Sequence, residues 1–204
     1  MTHIRIALLG AALATLMLPA AAQTTGTTPT PTAPPPTVNQ RKENQQDRIA
    51  NGVQDGQLTS GETRNLERKE SSLNQEERDM RKLDSGHLTS TDRATLNQQQ
   101  NQLSNQIYKD KHNAAVQNLN PKSEVGKRAE NQQDRIAQGI KSGQMTAGEA
   151  ARVEGKDAAI NHEIRTDRKA NGGTLTGAEK AQVNRQQNHV SKQIYRDKHN
   201  ARRQ

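Results

Sequence analysis

Two polar stretches, each written twice, hold the side chains in this sequence that could combine into a site. The run from Glu43 through Gln46, Asp47 and Arg48 to Ala50 recurs unchanged as Glu130 through Gln133, Asp134 and Arg135 to Ala137. The run Ile107-Tyr108-x-Asp110-Lys111-His112-Asn113-Ala114 recurs as Ile194-Tyr195-x-Asp197-Lys198-His199-Asn200-Ala201. A Tyr and a His four positions apart share one helical face, so each pair could grip a peptide or coordinate a metal, with Asp110 or Glu43 orienting the imidazole. The competing reading is a surface helix end that places His and Lys at the negative pole of the helix dipole.

These residues do not add up to a reaction. The sequence shows no Ser-His-Asp pattern, phosphate loop or zinc-helix motif. The chain has no cysteine, which excludes a disulfide framework, a thiolate metal site and a Cys nucleophile. After residue 22, Leu, Ile, Val and Phe make up only 23 of 182 residues, and Tyr108 and Tyr195 are the sole aromatics. Such a composition borders on the disordered class and makes a water-excluding pocket hard to build. The expectation is therefore a non-enzymatic protein with no cofactor and no metal centre. His87, His162 and His189 have no counterpart in the other copy and read as incidental, and the Gln/Asn run from Asn97 to Gln102 reads as a solvated helix face.

What positions the two stretches is a duplication. Residues 41–114 and 128–201 align without a gap at an offset of 87, with 39 of 74 positions identical. The ends of the repeat are kept, whereas residues 60–84 keep only 9 of 25. Polar residues retained while the middle drifts are candidates for a working surface. Charge is distributed differently: repeat 1 has 12 basic and 12 acidic residues, repeat 2 has 13 and 9. The net charge of +8 is thus not a property of the repeated unit, and no aromatics interleave with the basic residues. Nucleic acid is a disfavoured partner.

The remaining segments suggest export. Arg5, an apolar run from Ile6 to Leu18 and Ala20-Ala21-Ala22 read as a secretory signal peptide over residues 1–22, placing the mature protein in the periplasm or outside the cell with no transmembrane segment after cleavage. Residues 23–40, rich in Thr and Pro, read as a disordered linker. Residues 115–127 form a second linker broken by Pro121, and residues 202–204 a basic tail.

Inside each repeat a 30-residue spacing appears: Gly56-x-Leu58-Thr59, Gly86-x-Leu88-Thr89, Gly143-x-Met145-Thr146 and Gly173-x-Leu175-Thr176. Three positions after each Thr stands an acid, namely Glu62, Asp92, Glu149 or Glu179. Thr at the N-cap with an acid at the third helical position is a capping box, and the Gly suits the left-handed residue that closes the preceding helix. Leu58 and its equivalents are expected to insert between helices. Leu66, Leu73, Met80 and Leu83, then Leu96, Leu103 and Ile107, mark narrow apolar stripes; Val153, Ile160, Ile164, Val183, Val190 and Ile194 answer them in repeat 2. The predicted fold is all-α: two tandem three-helix units of antiparallel hairpins with coiled-coil-like seams. In the first unit the helices fall at about residues 42–54, 60–84 and 90–114. One seam per unit is marginal, which favours docking of the copies or a homodimer.

The Gly-x-Leu-Thr-x-x-Glu turns resemble the second half of an EF-hand loop, but Val53 and Ile140 stand where calcium needs oxygen ligands. Leu58-Thr59-Ser60-Gly61-Glu62 and Leu175-Thr176-Gly177-Ala178-Glu179 also resemble the Leu-Thr-x-x-Gln signature of small periplasmic helical stress proteins, with an acid in place of Gln. That resemblance implies an exported helical chaperone or metal-stress sensor. The functional expectation is binding of a protein or cell-envelope partner, with chaperone-like behaviour; divalent-metal sensing and polyanion binding led by repeat 2 are the alternatives. The expected contact set is the two retained stretches in both copies: Glu43, Gln46, Asp47, Arg48, Tyr108, Asp110, Lys111 and His112, with Glu130, Gln133, Asp134, Arg135, Tyr195, Asp197, Lys198 and His199.

Overall fold

Five of the six helices among the described residues begin with the same device. Thr37, Thr59, Thr89, Thr146 and Thr176 each accept a hydrogen bond from the third helical backbone N–H, while the side chain at that position, Gln40, Glu62, Asp92, Glu149 or Glu179, accepts from the Thr backbone. Each box satisfies two donors that the helix start leaves orphaned. The glycine before each of the four internal boxes has positive φ, between 66° and 98°. At Gly86 this lets the N–H reach back to Arg81 O at 2.7 Å and close the helix, a conformation that strains any residue with a Cβ.

The computed structural model describes residues 34–117 and 122–203. Among them are six helices and no strands: α1 Val38–Gln54, α2 Ser60–Leu83, α3 Ser90–Lys111, α4 Glu124–Lys141, α5 Ala147–Ala170 and α6 Gly177–His199. None of these described helices is long and apolar enough to cross a membrane. The segment read as a signal peptide, most of the stretch read as a Thr- and Pro-rich linker, and Pro121 lie outside the described residues. α1 starts four residues before its expected position, within the stretch read as linker. Its Thr37–Gln40 box and the burial of Val38 extend the helix backwards. α3 stops at Lys111, with Asn113 and Ala114 beyond it.

Leu58, Met145, Leu88 and Leu175 are buried between helices, as the turn spacing suggested. Of the anticipated stripe, Leu66 is fully buried and Leu73 and Met80 pack partly, but Leu83 is 85% exposed. It is the last residue of α2, where the turn lifts the chain off its neighbours.

One apolar cluster draws on both repeats, from Ile49, Leu66 and Ile107 to Ile136, Val153 and Ile194. The copies share a core instead of each closing its own. The most extensive pairing joins α2 to α5, followed by α1 to α4. A Cβ on Gly148 would lie 3.3 Å from Ser71 Oγ, and one on Gly155 would lie 3.3 Å from Arg64 Nε. Numbers rise along α2 as they fall along α5, so the two helices run antiparallel. Between these contacts sit Leu66 and Val153, equivalent residues of the two copies and both fully buried. α2 and α5 therefore meet about a local pseudo-twofold.

Candidate functional site

The retained stretches lie side by side because α1 packs on α3 and α4 on α6. Gln45 donates to Gln100 O at 2.6 Å and Gln100 to Val38 O at 2.9 Å; Gln132, Gln187 and Val125 repeat the pattern at 2.6 and 3.0 Å. Arg48 donates to Ser104 Oγ and, at 3.0 Å, to Ser104 O, while Arg135 donates to Ser191 Oγ and O at 3.2 Å each. Asn113 donates to Glu62 Oε1 at 2.6 Å and Asn200 to Glu149 Oε1 at 2.9 Å, tying the end of the third helix to the cap of the second in each repeat. Much of the retained polarity thus lashes each repeat to itself.

Several anticipated contact residues face solvent. Glu43, Asp47, Glu130 and Asp134 are exposed, and Glu43, Gln46 and Asp47 share a cleft of about 370 Å³ with Lys42 and Lys141. Tyr108 and Tyr195 remain 60% and 59% exposed. Each stacks on the histidine one turn later, with ring centroids 4.2 Å apart for Tyr108–His112 and 4.1 Å for Tyr195–His199. Each histidine Nδ1 lies 2.7 Å from the tyrosine's backbone O. Asp110 and Asp197 accept from Gln106 and Gln193. Burial holds the Asp110 carboxyl above its ordinary range, chiefly by desolvation. Lys198 reaches Gln138 Oε1 at 3.3 Å, and a Cβ on Gly52 would lie 3.3 Å from Lys111 Cδ. Arg135 and Tyr195, from opposite ends of repeat 2, line one open groove with His189, Lys192 and Arg196. Among the described residues no group of three or more His, Cys, Asp or Glu is arranged to hold a metal ion.

A third feature lies where the copies meet. Glu67, Glu70, Glu154 and Asp157 are buried on the α2–α5 side of the core, and no ion pair engages any of them among the described residues. Gln46 donates to Glu67 at 3.4 Å; Gln133 donates to Glu154 and Asp157 at 3.2 Å. Burial pushes the Glu67 carboxyl well above its ordinary range, reinforced by Glu70 and Glu154. The same desolvation lifts Glu70 to about 7, against the pull of Lys42, with Glu77 adding to the rise. Glu154 rises to about 8 by burial and the nearby Asp157, which burial itself lifts to about 7. Neutral carboxyl groups carry O–H donors, and several buried oxygens here, among them Gln46 Oε1, Gln133 Oε1, Glu67 Oε1 and Glu154 Oε1, have no other donor.

Sequence reading passed over this cluster because carboxylates on polar helices normally pair with bases on the surface. The signal was present: Glu67 and Glu154 are identical across the duplication and follow the seam residues Leu66 and Val153 directly. Comparison with known proteins finds no family model, no curated protein and no solved structure that matches this chain.

Proposed function

We propose that the protein is an exported, non-enzymatic helical scaffold that holds a protein or cell-envelope partner in the periplasm or outside the cell. The finer architecture that goes with this reading is two three-helix units, α1–α3 and α4–α6, docked through α2 and α5. The observation that carries it is the pair of stacked Tyr-His edges. Tyr108 and Tyr195 are the only Phe, Trp or Tyr residues of the chain, they are kept in both copies, and each residue remains more than half exposed. A side chain kept for packing would be covered. A rigid, half-exposed aromatic with a polar tip is instead the residue type that anchors protein contacts.

The test is Tyr108→Ala with Tyr195→Ala in one chain. Thermal unfolding should match the parent, while retention of the partner and delay of aggregation of a model client should fall by about fivefold or more, the usual loss when an anchoring aromatic is truncated. A parent protein that neither retains a partner nor delays aggregation sinks the proposal.

A further inference from the structure

The α2–α5 pairing has a second face, turned away from the buried carboxyls. There a groove of about 560 Å³ runs along the junction, lined by Arg64 and Arg68 from repeat 1 and by Arg152 and Lys156 from repeat 2. All four are exposed, and none forms an ion pair among the described residues; Lys156 alone reaches a side-chain acceptor, Gln193 Oε1 at 3.4 Å. No acidic residue lines the groove, because the acids of these stretches point into the core. Four like charges converging on one groove repel one another and gain from an anion that bridges them.

The floor narrows the choice of anion. Gly148, Ala151, Gly155 and Ala159 line it with small side chains, which leaves room for the long basic side chains of α2 to lie across α5. In repeat 2 Ala151 and Gly155 stand where repeat 1 has Arg64 and Arg68, and the Arg64 guanidinium lies across Gly155, with Nε 3.3 Å from where a Cβ would sit. No aromatic ring lines the groove to stack on a nucleobase or a sugar face. Three guanidinium forks suit tetrahedral oxyanions, which they can engage two hydrogen bonds at a time. Hydroxyls of Ser71 and Ser72 stand along the same wall.

We infer that the groove between α2 and α5 is a binding site for a linear oligophosphate, held by Arg64, Arg68, Arg152 and Lys156. The site exists only when the two repeats are docked, because each contributes two of the four cations. It lies on other helices than the tyrosine edges, so loss of either activity leaves the other readable.

Calorimetric titration of the purified protein with inorganic tripolyphosphate and with long-chain polyphosphate, at low and moderate salt, tests this. Binding should weaken as salt rises, and Arg64→Ala/Arg68→Ala/Arg152→Ala should lower affinity by about tenfold or more while flattening the salt dependence by about three counter-ions. Ala159→Glu, an exposed change that places a carboxylate at the groove, should weaken binding in the same direction with the helical signal intact. Arg165→Ala/Lys169→Ala/Arg185→Ala removes equal charge elsewhere and should leave affinity within about twofold. The inference is overturned by absence of binding at low salt or by an equal loss in that control. It is equally overturned if a sulfated glycan or single-stranded DNA of matched charge binds as tightly, since the groove would then read charge alone.

Discussion

The two ends of each repeat and its middle helix follow opposite rules. Residues 43–50 and 130–137 are identical and residues 107–114 nearly match 194–201, yet α2 and α5, which keep 9 of 25 positions over residues 60–84 and their equivalents, form the most extensive pairing in the fold. Identity survives where both copies perform the same internal task, as Arg48 on Ser104 and Arg135 on Ser191 do. A surface that meets its own copy has to be complementary. An Arg opposite an Arg would collide and repel, whereas Arg64 opposite Gly155 fits. Divergence of the middle helix thus sets small residues of one copy against long residues of the other at this contact.

The largest effect should come from the shared core. Leu66 is fully buried in the cluster common to both copies, whereas Leu88 is 8% exposed in a smaller cluster with Val38 and Leu96. Leu66→Ala should cost about 3–5 kcal/mol and Leu88→Ala about 2 kcal/mol, read from denaturant midpoints. Equal losses would mean that the joint core does not dominate stability.

The buried acids should make the same junction respond to protons. Their folded pKa values lie above the unfolded ones, so the folded state binds the extra protons. Their contribution is fully present below about pH 4.5 and is lost as pH rises through about 7 to 8. For Glu70, lifted from 4.5 to about 7, the loss between pH 4 and pH 8 is about 3 kcal/mol. Lys42 faces Glu70 and opposes the rise; Glu77 adds to it. Glu70→Gln should flatten the stability profile over that window, and Glu67→Gln with Glu154→Gln should flatten it further. An unchanged slope in both variants would show that the carboxyls are not the proton store.

Sequence pattern revealed the helices, their capped turns and the insertion of Leu58 and its equivalents, because these depend on residues within one turn of each other. It misjudged the start of α1 by four residues, since Gln40 completes a capping box from within a Thr- and Pro-rich stretch. It placed Leu83 in a seam by heptad spacing alone, which does not say where a helix leaves its partners. Gln46, Gln133, Arg48 and Arg135 were singled out as polar and retained; their partners Glu67, Glu154, Ser104 and Ser191 lie 21 or 56 residues away. Pairings at that range follow from how helices cross, and no local rule encodes it. The α2–α5 groove was illegible for the same reason, as half of its charge comes from each copy.

Two glycines sharpen the comparison at intermediate magnitude. A Cβ on Gly52 would lie 2.7 Å from Leu58 Cδ1, and one on the equivalent Gly139 would lie 2.6 Å from Met145 Sδ. Both clashes are too close to stand, but Met bends out of the way more readily than Leu. Gly52→Ala should therefore cost more than Gly139→Ala, with both within about 1–3 kcal/mol. A larger loss at Gly139 in thermal melts would show that the divergence of Leu58 and Met145 does not soften repeat 2.

The smallest expected difference separates the two retained asparagines. Asn113 donates to Glu62 Oε1 and Asn200 to Glu149 Oε1, so each carries the end of a third helix back to the cap of the second. The capping acids are not equally supported, because Arg202 also reaches Glu149 Oε1, at 3.5 Å, where repeat 1 has Ala115. Asn200→Ala leaves that ion pair in place; Asn113→Ala leaves Glu62 with its capping bonds to Thr59 alone. Loss of such a neutral-to-charged hydrogen bond at a partly exposed site should cost about 1 kcal/mol for Asn113→Ala and about half that for Asn200→Ala. Adding Arg202→Ala to Asn200→Ala should bring repeat 2 level with repeat 1. If hydrogen exchange at the start of α5 stays unchanged in that double variant while the start of α2 loosens in Asn113→Ala, the retained asparagines do different jobs, and identity between the copies is no longer a guide to shared purpose.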